Sequence, residues 1–459
     1  MAPVDIKDAL QLTNTYLFDS GDTPLNEDEK AVLRGTWQKE TFKQIAEKLD
    51  DVDADHLRTC VGRRLWLRLA VALNVKEVTK HTYRKLIEEK IIQDSASKSD
   101  ENSTEYRFDK SDGFSVLIGQ PPSVNSFVGR GPEIAMLSAA IKENQCISLI
   151  GAPGIGKSAL ASKVSQMCPK LPEQFKFEAC IWKSLNYGPS LTELLAELVS
   201  LFGITVSDKD IPQLTNDLLQ CLRKHRLLIV FDSVEALMKE ASRSNPWGHH
   251  TEYRSFVHRI IEEQHRSCFI FCSQEPIREV KSLQNNGFAA RSFKIEGLGK
   301  DAIELLKHTG LKNESVWKQL IADYQGNPYA LLEVAEKIND FFGGDASEFL
   351  ELNTIRVDDP FTETLLDQIC RSSYLEQDVL ANLAKMSPKS IDFKELCGIF
   401  SNHSRSDLMT AVTRLESRSL INKSSDQPFQ LSISKIVKKL VMLNAKSTVS
   451  QSDSIPLTA

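Results

Sequence analysis

The chain has 459 residues and a formal net charge of −6 at pH 7, and 41% of its residues are hydrophobic. This length predicts about three domains, each able to bury a core, and the modest negative charge excludes a general signature of nucleic-acid binding. The sequence has neither a signal-peptide pattern nor an apolar run that could cross a bilayer, so we expect a cytoplasmic protein without a membrane partner. Nine cysteines, scattered through apolar runs as at Cys146 and Cys180, predict buried reduced thiols and no zinc site.

Residues 1–93 are predicted to form an all-α domain. Apolar residues at helical spacing follow Thr41, a turn rich in Asp comes next, and a second helix carries apolar residues four positions apart from Leu57 to Leu69. A short helix, a turn and a helix are typical of a helix-turn-helix. A last helix is predicted from Thr79 onward, and the polar residues 94–125 are predicted to be a linker.

The next block, residues 126–298, alternates apolar runs with helical patterns. The predicted strands are 147–151, 179–183, 227–232, 268–273 and 291–295. The predicted helices are 131–143, 157–168, 190–202, 211–224 and 251–263. This alternation predicts a doubly wound α/β fold with a parallel sheet.

The strand pattern stops near Lys300. Residues 299–356 and 357–445 are predicted to form two helical domains, and the Ser-rich residues 446–459 are predicted to be a disordered tail.

Residues 151–158 fit G-x-x-x-x-G-K-[ST], the phosphate-binding P-loop, between a predicted strand and a predicted helix. Glycines let backbone N–H groups turn toward a phosphate, and the helix N-terminus adds partial positive charge. Lys157 is expected to reach the β- and γ-phosphates and Ser158 to bind Mg²⁺. The alternative, a glycine-rich turn without a ligand, conflicts with the strand and helix on either side. The predicted cofactor-binding residues are Gly151, Gly154, Ile155, Gly156, Lys157, Ser158 and Ala159.

The strand predicted over 227–232 ends in Asp232. A carboxylate at the end of a parallel strand beside a P-loop can hold Mg²⁺, directly or through water. We therefore predict Ser158 and Asp232 as the residues that bind Mg²⁺.

The chain resembles the NB-ARC type of STAND-class P-loop NTPases over residues 126 to 445. The segment 126–130 looks like the F-V-G-R motif of that family, which implies that the backbone of Val128, Gly129 and Arg130 contacts adenine. The segment 326–331 is similar to the G-x-P-x-A-L motif, which implies that Pro328 packs on the base. A plain turn between two helices is the alternative for this segment. The resemblance implies ATP or ADP with Mg²⁺ as cofactors and a winged helix over 357–445.

The N-terminal segments 25–37, 41–46 and 60–66 resemble the helix-turn-helix domain of vWA-MoxR-associated proteins. This resemblance implies a bacterial source and NB-ARC modules followed by WD or tetratricopeptide repeats. The sequence has no self-similarity at a period of 30 to 50 residues. We therefore expect the ligand sensor to be absent or supplied by another protein.

Two positions and one short segment depart from the family pattern. Ser273 is kept as a cofactor-binding residue, but Gln274 stands where the family has an arginine that senses the γ-phosphate. Ser233 replaces an acid after Asp232, so that Glu235 is the nearest remaining carboxylate. We predict Asp232 and Glu235 as catalytic, although Glu235 also suits the first turn of a helix. Residues 431–433 replace the Met-His-Asp motif, and slow hydrolysis is expected.

The sequence thus favours an ATP/ADP switch that controls assembly with a sensor or effector protein or with itself. An ATP-responsive DNA-binding regulator, acting through residues 41–69, is the alternative, because residues 56–90 are locally basic. Arg58 and Arg68 are predicted to share a helix sector with apolar residues, so a protein contact is favoured over DNA. A scaffold that binds nucleotide without turnover is the third possibility.

Overall fold

The structure, a computed structural model, consists of two compact units, Met1–Arg107 and Phe108–Ala459. In the first unit it describes residues 27–38, 40–48, 57–73, 78–80, 82–87 and scattered single positions. In the second it describes residues 116–124, 127–168, 175–206, 209–238, 247–248, 250–424 and 428–452. Among these residues, no helix combines the length and the apolar character needed to cross a membrane.

The first unit is mainly helical over its described residues, as predicted. Its elements are α1 Glu27–Trp37, α2 Phe42–Ala46, a π-helical turn Leu57–Gly62 and α3 Arg63–Ala72, with residues 83–87 also helical. Thr41 and Gln44 form a reciprocal capping box that fixes the start of α2. The residues predicted at four-residue spacing are all buried: Leu57, Val61, Leu65 and Leu69.

One prediction for this unit is wrong. Arg58 is exposed and does not share the buried sector of Leu57, because residues 57–62 form a wider π turn in place of α-helix. Arg68 is bound to α1 through Glu29, at 2.7 Å. The proposed cap at Asn26 and most of the Asp-rich turn lie outside the described residues.

The second unit is built on a six-stranded parallel sheet in the order β1-β3-β4-β5-β2-β6. The strands are β1 Val116–Ile118, β2 Cys146–Ile150, β3 Ala179–Ser184, β4 Leu227–Asp232, β5 Cys268–Ser273 and β6 Ala290–Lys294. The five predicted strands are confirmed to within one residue. However, β1 lies inside the segment predicted as a linker, because three residues at a sheet edge are too few to give a periodic signal.

Helices cover both faces of this sheet. They are α4 Gly131–Glu143, α5 Lys157–Met167, α6 Leu191–Ser200, α7 Ile211–Lys224, α8 Glu252–Glu262 and α9 Arg278–Asn285. Alternate residues of β4 belong to different cores. Leu227, Ile229 and Phe231 pack with α6 to α9, whereas Leu228 and Val230 pack with α4 and α5. The doubly wound α/β fold is therefore confirmed, and the carboxyl ends of β4 and β5 lie beside the residue 151–158 loop.

The rest of the unit is mainly helical and shares one core. Its first helices are α10 Ala302–Lys307, α11 Trp317–Asp323, α12 Pro328–Phe342 and α13 Ala346–Glu351. Its later elements are α14 Asp359–Cys370, α15 Tyr374–Met386, β7 Ile391–Asp392, α16 Phe393–Ile399, α17 Arg405–Ser417, β8 Asn422–Lys423, β9 Gln430–Ser432 and α18 Lys435–Ser452. The small antiparallel sheet β7-β9-β8 and its helices have the element order of a winged helix.

The end of the chain differs from the prediction of a tail that is disordered from residue 446. The last helix, α18, continues to Ser452. Polar residues are compatible with a helix once its first turns are anchored, and Ile436, Val437 and Leu440 are buried at helical spacing.

Candidate nucleotide-binding site

A cavity of about 280 Å³ lies where the P-loop, the ends of β4 and β5, and the N-terminal turn of α14 meet. The residues that line it are Pro153, Gly154, Lys157, Ser158, Asp232, Ser233, Glu235, Cys272, Gln274, Tyr329, Pro360, Phe361 and Thr364. The structure therefore brings together five of the predicted site residues: Gly154, Lys157, Ser158, Asp232 and Glu235.

The P-loop needs glycine for two reasons. Gly154 and Gly156 have left-handed backbone angles, with φ of +65° and +95°. Neighbouring atoms are also too close for a side chain, since a Cβ on Gly151 would lie 2.6 Å from the Ile295 carbonyl oxygen and one on Gly154 would lie 2.6 Å from Tyr329 Cβ. The loop therefore approaches its neighbours through bare backbone.

Lys157 begins α5 and is buried under the loop, with 8% of its surface exposed. Its Nζ donates to the carbonyl oxygens of Gly151 at 2.9 Å and Ala152 at 3.0 Å. Burial lowers the pKa of this ammonium, while the nearby carboxylates of Glu235 and Asp232 act in the opposite direction. An anionic ligand in the cavity would remove much of this burial penalty by pairing with the charge.

The Ser158 hydroxyl and the Asp232 carboxylate are hydrogen-bonded, so they lie close enough to bind one metal ion together. The Ser158 hydroxyl donates to Asp232 Oδ1 at 2.6 Å, and the Ser233 N–H donates to the same oxygen at 2.9 Å. Burial raises the pKa of Asp232, although both hydrogen bonds favour its charged form. Ser233 has a φ of +59°, which is uncommon for a residue other than glycine.

These two oxygen donors fit Mg²⁺, which typically takes one or two protein ligands together with phosphate oxygens and water. No group of three or more His, Cys, Asp or Glu suited to a metal occurs in the described parts of the chain. The donor set therefore suits a metal bound jointly with phosphate and does not suit a metal cage made by protein alone.

Glu235 lies on the same cavity wall, in the 3₁₀ turn Val234–Met238. Its Oε1 accepts from Gln274 Nε2 at 2.8 Å, and its Oε2 accepts from the Gln274 backbone N–H at 3.2 Å. Burial raises the pKa of Glu235, while Lys157 lowers it. Arg278, the next arginine along the chain after Gln274, is exposed at the start of α9 and is not part of the cavity wall, so it does not replace the missing γ-phosphate-sensing arginine there.

The segment that precedes α4 supports the loop from outside the cavity. A Cβ on Gly129, which has a φ of +68°, would lie 2.2 Å from the Asp301 carboxylate. The Arg130 guanidinium donates to the carbonyl oxygens of Ile155, at 2.6 Å, and Glu296, at 2.8 Å. Its side chain thus supports the P-loop.

The other nine predicted residues do not line the cavity: Val128, Gly129, Arg130, Gly151, Ile155, Gly156, Ala159, Ser273 and Pro328. Ser273 ends β5, and its hydroxyl accepts from the Glu275 N–H at 3.2 Å. Pro328 begins α12, with its Cγ about 4.0 Å from the position of a Cβ on Gly156. Leu431, in the segment aligned with the Met-His-Asp motif, is buried within β9.

Four cavity residues from the C-terminal helices were missed by the sequence analysis: Tyr329, Pro360, Phe361 and Thr364. The rings of Tyr329 and Phe361 stack with centroids 5.7 Å apart. The G-x-P motif could have pointed to Tyr329, which directly follows Pro328. No local sequence pattern identifies the α14 residues as part of the site, because their place in the cavity wall depends on how α14 packs against the sheet.

Two protein-family models match separate parts of the chain. Residues 4–90 match the vWA-MoxR associated protein N-terminal HTH, and residues 134–240 match the NB-ARC domain. An uncharacterized WD repeat-containing protein of Nostoc sp. is 32% identical over 327 residues. That match covers 67% of this chain but only 26% of the relative, so the chain spans about a quarter of that protein's length.

Two solved structures are among those that share limited similarity with this chain. The Aeropyrum pernix ORC2 protein, in ADPNP and ADP complexes, is 14% identical with a TM-score of 0.44, over 75% of this chain and 99% of that one. A STAND protein with a tetratricopeptide repeat sensor from Pyrococcus horikoshii is 16% identical with a TM-score of 0.30, over 70% of this chain and 43% of that one. Both scores lie below 0.5, and the chain's own motifs and sheet order define its fold.

The parallel sheet, the P-loop and the acid at the end of β4 define a P-loop NTPase fold. Within that class, residues 134–240 match the NB-ARC domain, and residues 4–90 match the N-terminal helix-turn-helix of vWA-MoxR associated proteins.

Proposed function

We propose that this chain binds ATP and ADP with Mg²⁺ in the cavity, and that nucleotide exchange switches its assembly with other proteins. One observation supports this above all: the cavity walls come from two parts of the fold. The P-loop and the ends of β4 and β5 form one wall, and Tyr329, Phe361 and Thr364 form the other. A ligand that touches both walls can change their association, because ATP and ADP would contact them differently.

Different residues are proposed to bind different parts of the nucleotide. Lys157 would pair with the β- and γ-phosphates, and the N–H groups of the loop would donate to phosphate oxygens. Ser158 and Asp232 would hold Mg²⁺, which supplies charge neutralisation when bound. Val128, Gly129, Arg130 and Pro328, which lie outside the cavity, are proposed to form the base end of the site.

Glu235 is proposed to orient the water that attacks the γ-phosphate and to accept its proton. It is the carboxylate nearest to Asp232 on the cavity wall, and its two oxygens are held by one residue, Gln274. A neutral amide at this position cannot offset phosphate charge as an arginine does. Hydrolysis is therefore proposed to be slow, and the ATP state long-lived.

Binding is tested by calorimetry of the full chain with ATP and with ADP, each with and without Mg²⁺. We expect saturable binding of both nucleotides and tighter ATP binding with Mg²⁺. Light scattering of the same samples tests the switch, and we expect a larger mass with ATP than with ADP. Absence of nucleotide binding would contradict the whole proposal. Binding of both nucleotides with equal masses would contradict only the self-assembly of this chain.

DNA binding through residues 41–69 is not favoured by the positions of the nearby basic residues. Lys80 donates to the Glu40 carbonyl oxygen and lies over the Phe42 ring. Arg68 pairs with Glu29 within the helical core. These cations stabilise the first unit itself, and a gel-shift assay with duplex DNA is expected to show no nucleotide-dependent complex.

A further inference from the structure

A chain of three side chains connects the cavity to the C-terminal helices. Glu235 Oε1 accepts from Gln274 Nε2 at 2.8 Å, and Gln274 Oε1 accepts from Gln368 Nε2 at 2.8 Å. Gln368 lies on α14, 94 positions along the chain from Gln274, and only 1% of its surface is exposed. The two hydrogen bonds therefore couple a residue of the cavity wall to a helix that belongs to a different part of the fold.

The direction of these bonds follows from chemistry. A carboxylate can only accept hydrogen bonds, so the amide nitrogen of Gln274 must face Glu235. Its oxygen then faces Gln368, which must present its own nitrogen. Neither amide can be reversed without placing two acceptors or two donors against each other while Glu235 is charged. The orientation of Glu235 is thus tied to the position of α14.

Ion pairs hold α14 in this position. Glu275, the residue after Gln274, lies 3.0 Å from Arg371 Nη1 and 3.3 Å from Arg418 Nε. Only 8% of Glu275 is exposed, and Arg371 follows Gln368 by nearly one helical turn. A buried carboxylate shared by two guanidinium groups is costly to separate, so the Glu275–Arg371 pair holds the C-terminal end of α14 beside the residues that follow β5.

We propose that Gln368 is a positioning residue for the phosphate site: through Gln274 it holds the Glu235 carboxylate in place for hydrolysis, so that turnover requires a docked α14. This inference rests on the proposed function. It differs from simple occlusion by α14, because it assigns a specific hydrogen-bond donor on that helix to the reaction. If α14 moves away, Glu235 keeps its charge, but the Gln274 amide that donates to it loses the Gln368 contact that orients that amide.

The test uses the full chain and the variant Gln368→Met, which keeps length and volume but removes the donor. We expect the ATP dissociation constant to change by less than about twofold, because Gln368 does not line the cavity. We expect the single-turnover rate to fall about tenfold, since displacement of a catalytic group by about 1 Å can cost up to about 100-fold. The matched control is Gln377→Met on α15, because Gln377 donates only to backbone carbonyls such as that of Ser372.

Two further measurements separate positioning from loss of structure. Gln274→Met should slow turnover as much as Gln368→Met, and the double variant should be little slower than either, because both remove one pathway. The acid side of the pH–rate profile should also move to higher pH in Gln368→Met, since weaker donation to Glu235 favours its neutral form. Lys157, Asp232 and Cys272 also face Glu235 and are unchanged in this comparison.

The outcomes are distinct. Gln368→Glu, which has the same shape but no amide nitrogen, is the second variant if the methionine change prevents folding. Equal slowing by the Gln377 control, or additive effects in the double variant, would overturn the positioning role. ATP binding without any single-turnover hydrolysis in the unmodified chain would also overturn it, while leaving nucleotide binding intact. Failure to bind ATP would instead contradict the proposed function.

Discussion

Asn327 donates from Nδ2 to the carbonyl oxygen of Pro153 at 2.8 Å and so ties the start of α12 to the P-loop. The same side chain accepts from the Ala330 N–H through Oδ1 and caps α12. One buried amide therefore determines both where the helix begins and where it docks. This gives the asparagine in the segment 326–331 a physical role in closing the site.

Asn327→Ala should destabilise the chain by about 1–3 kcal/mol, because it removes a helix cap and leaves the Pro153 carbonyl oxygen without this donor. Urea unfolding of the full chain without nucleotide measures the effect. Asn339→Ala is the matched control, since Asn339 is exposed and donates to the Thr309 carbonyl oxygen far from the loop. The control should cost no more than about 0.5 kcal/mol. Equal losses in both variants would show that Asn327 has no special role.

Gly154→Ala should separate α12 from the P-loop. Its φ of +65° disfavours any side chain by about 1–2 kcal/mol, and the new methyl would clash with Tyr329 Cβ at 2.6 Å. We expect lower stability, together with nucleotide affinity reduced at least tenfold as measured by calorimetry.

Gly131→Ala is the control for that change. Gly131 begins α4, and a Cβ there meets no atom within 4 Å. Stability and affinity should stay close to those of the unmodified chain. Equal effects of alanine at residues 154 and 131 would contradict the close approach of Tyr329 to the P-loop.

The sheet and the loop could be predicted from the sequence because their signals are local. Each central strand is a continuous apolar run, and the P-loop motif lies between a strand and a helix. Asp232 and Glu235 were found for the same reason, since both follow β4 within a few residues. Their presence on one cavity wall then follows from parallel topology.

The second wall of the cavity could not be predicted. Phe361 and Thr364 are ordinary residues in the first turns of α14, and only the packing of that helix places them opposite Lys157. The Gln274–Gln368 contact has the same origin, because no pattern within either segment encodes the distance between them. The π turn at Leu57–Gly62 could not be predicted either, because its apolar spacing also fits an α-helix.

Lys157→Ala should weaken ATP binding at least tenfold, or about 1.4 kcal/mol, because it removes a charged donor from the phosphate end of the cavity. Calorimetry with Mg²⁺·ATP measures the change. Lys281→Ala, at an exposed position on α9, is the control and should leave affinity unchanged. Unchanged affinity in Lys157→Ala would contradict the assignment of the P-loop.

Asp232→Asn should stabilise the nucleotide-free chain at neutral pH while abolishing the effect of Mg²⁺ on nucleotide binding. Burial raises the pKa of Asp232 above its ordinary 3.8, so the folded chain holds this proton to a higher pH than the unfolded chain does. The free energy of unfolding therefore falls as pH rises through the folded-state pKa of Asp232. Above that pKa, the full cost of burying the charged carboxylate is present. Asparagine keeps the Oδ1 acceptor for Ser158 and Ser233 but carries no charge.

Thermal unfolding between pH 3 and pH 8 (a range of about five units) checks this sign. The advantage of Asp232→Asn should be greatest near pH 8 and should vanish below the ordinary pKa of 3.8, where both chains are neutral at this position. Asp345→Asn is a control of opposite sign, because hydrogen bonds from Asn313 and Ser347 lower the pKa of Asp345. Its substitution should therefore destabilise the chain at neutral pH, with the loss fading as pH falls. If stability changed with pH in the same direction in both variants, the opposite pKa shifts of the two aspartates would be contradicted. Burial dominates at Asp232, whereas hydrogen bonding dominates at Asp345.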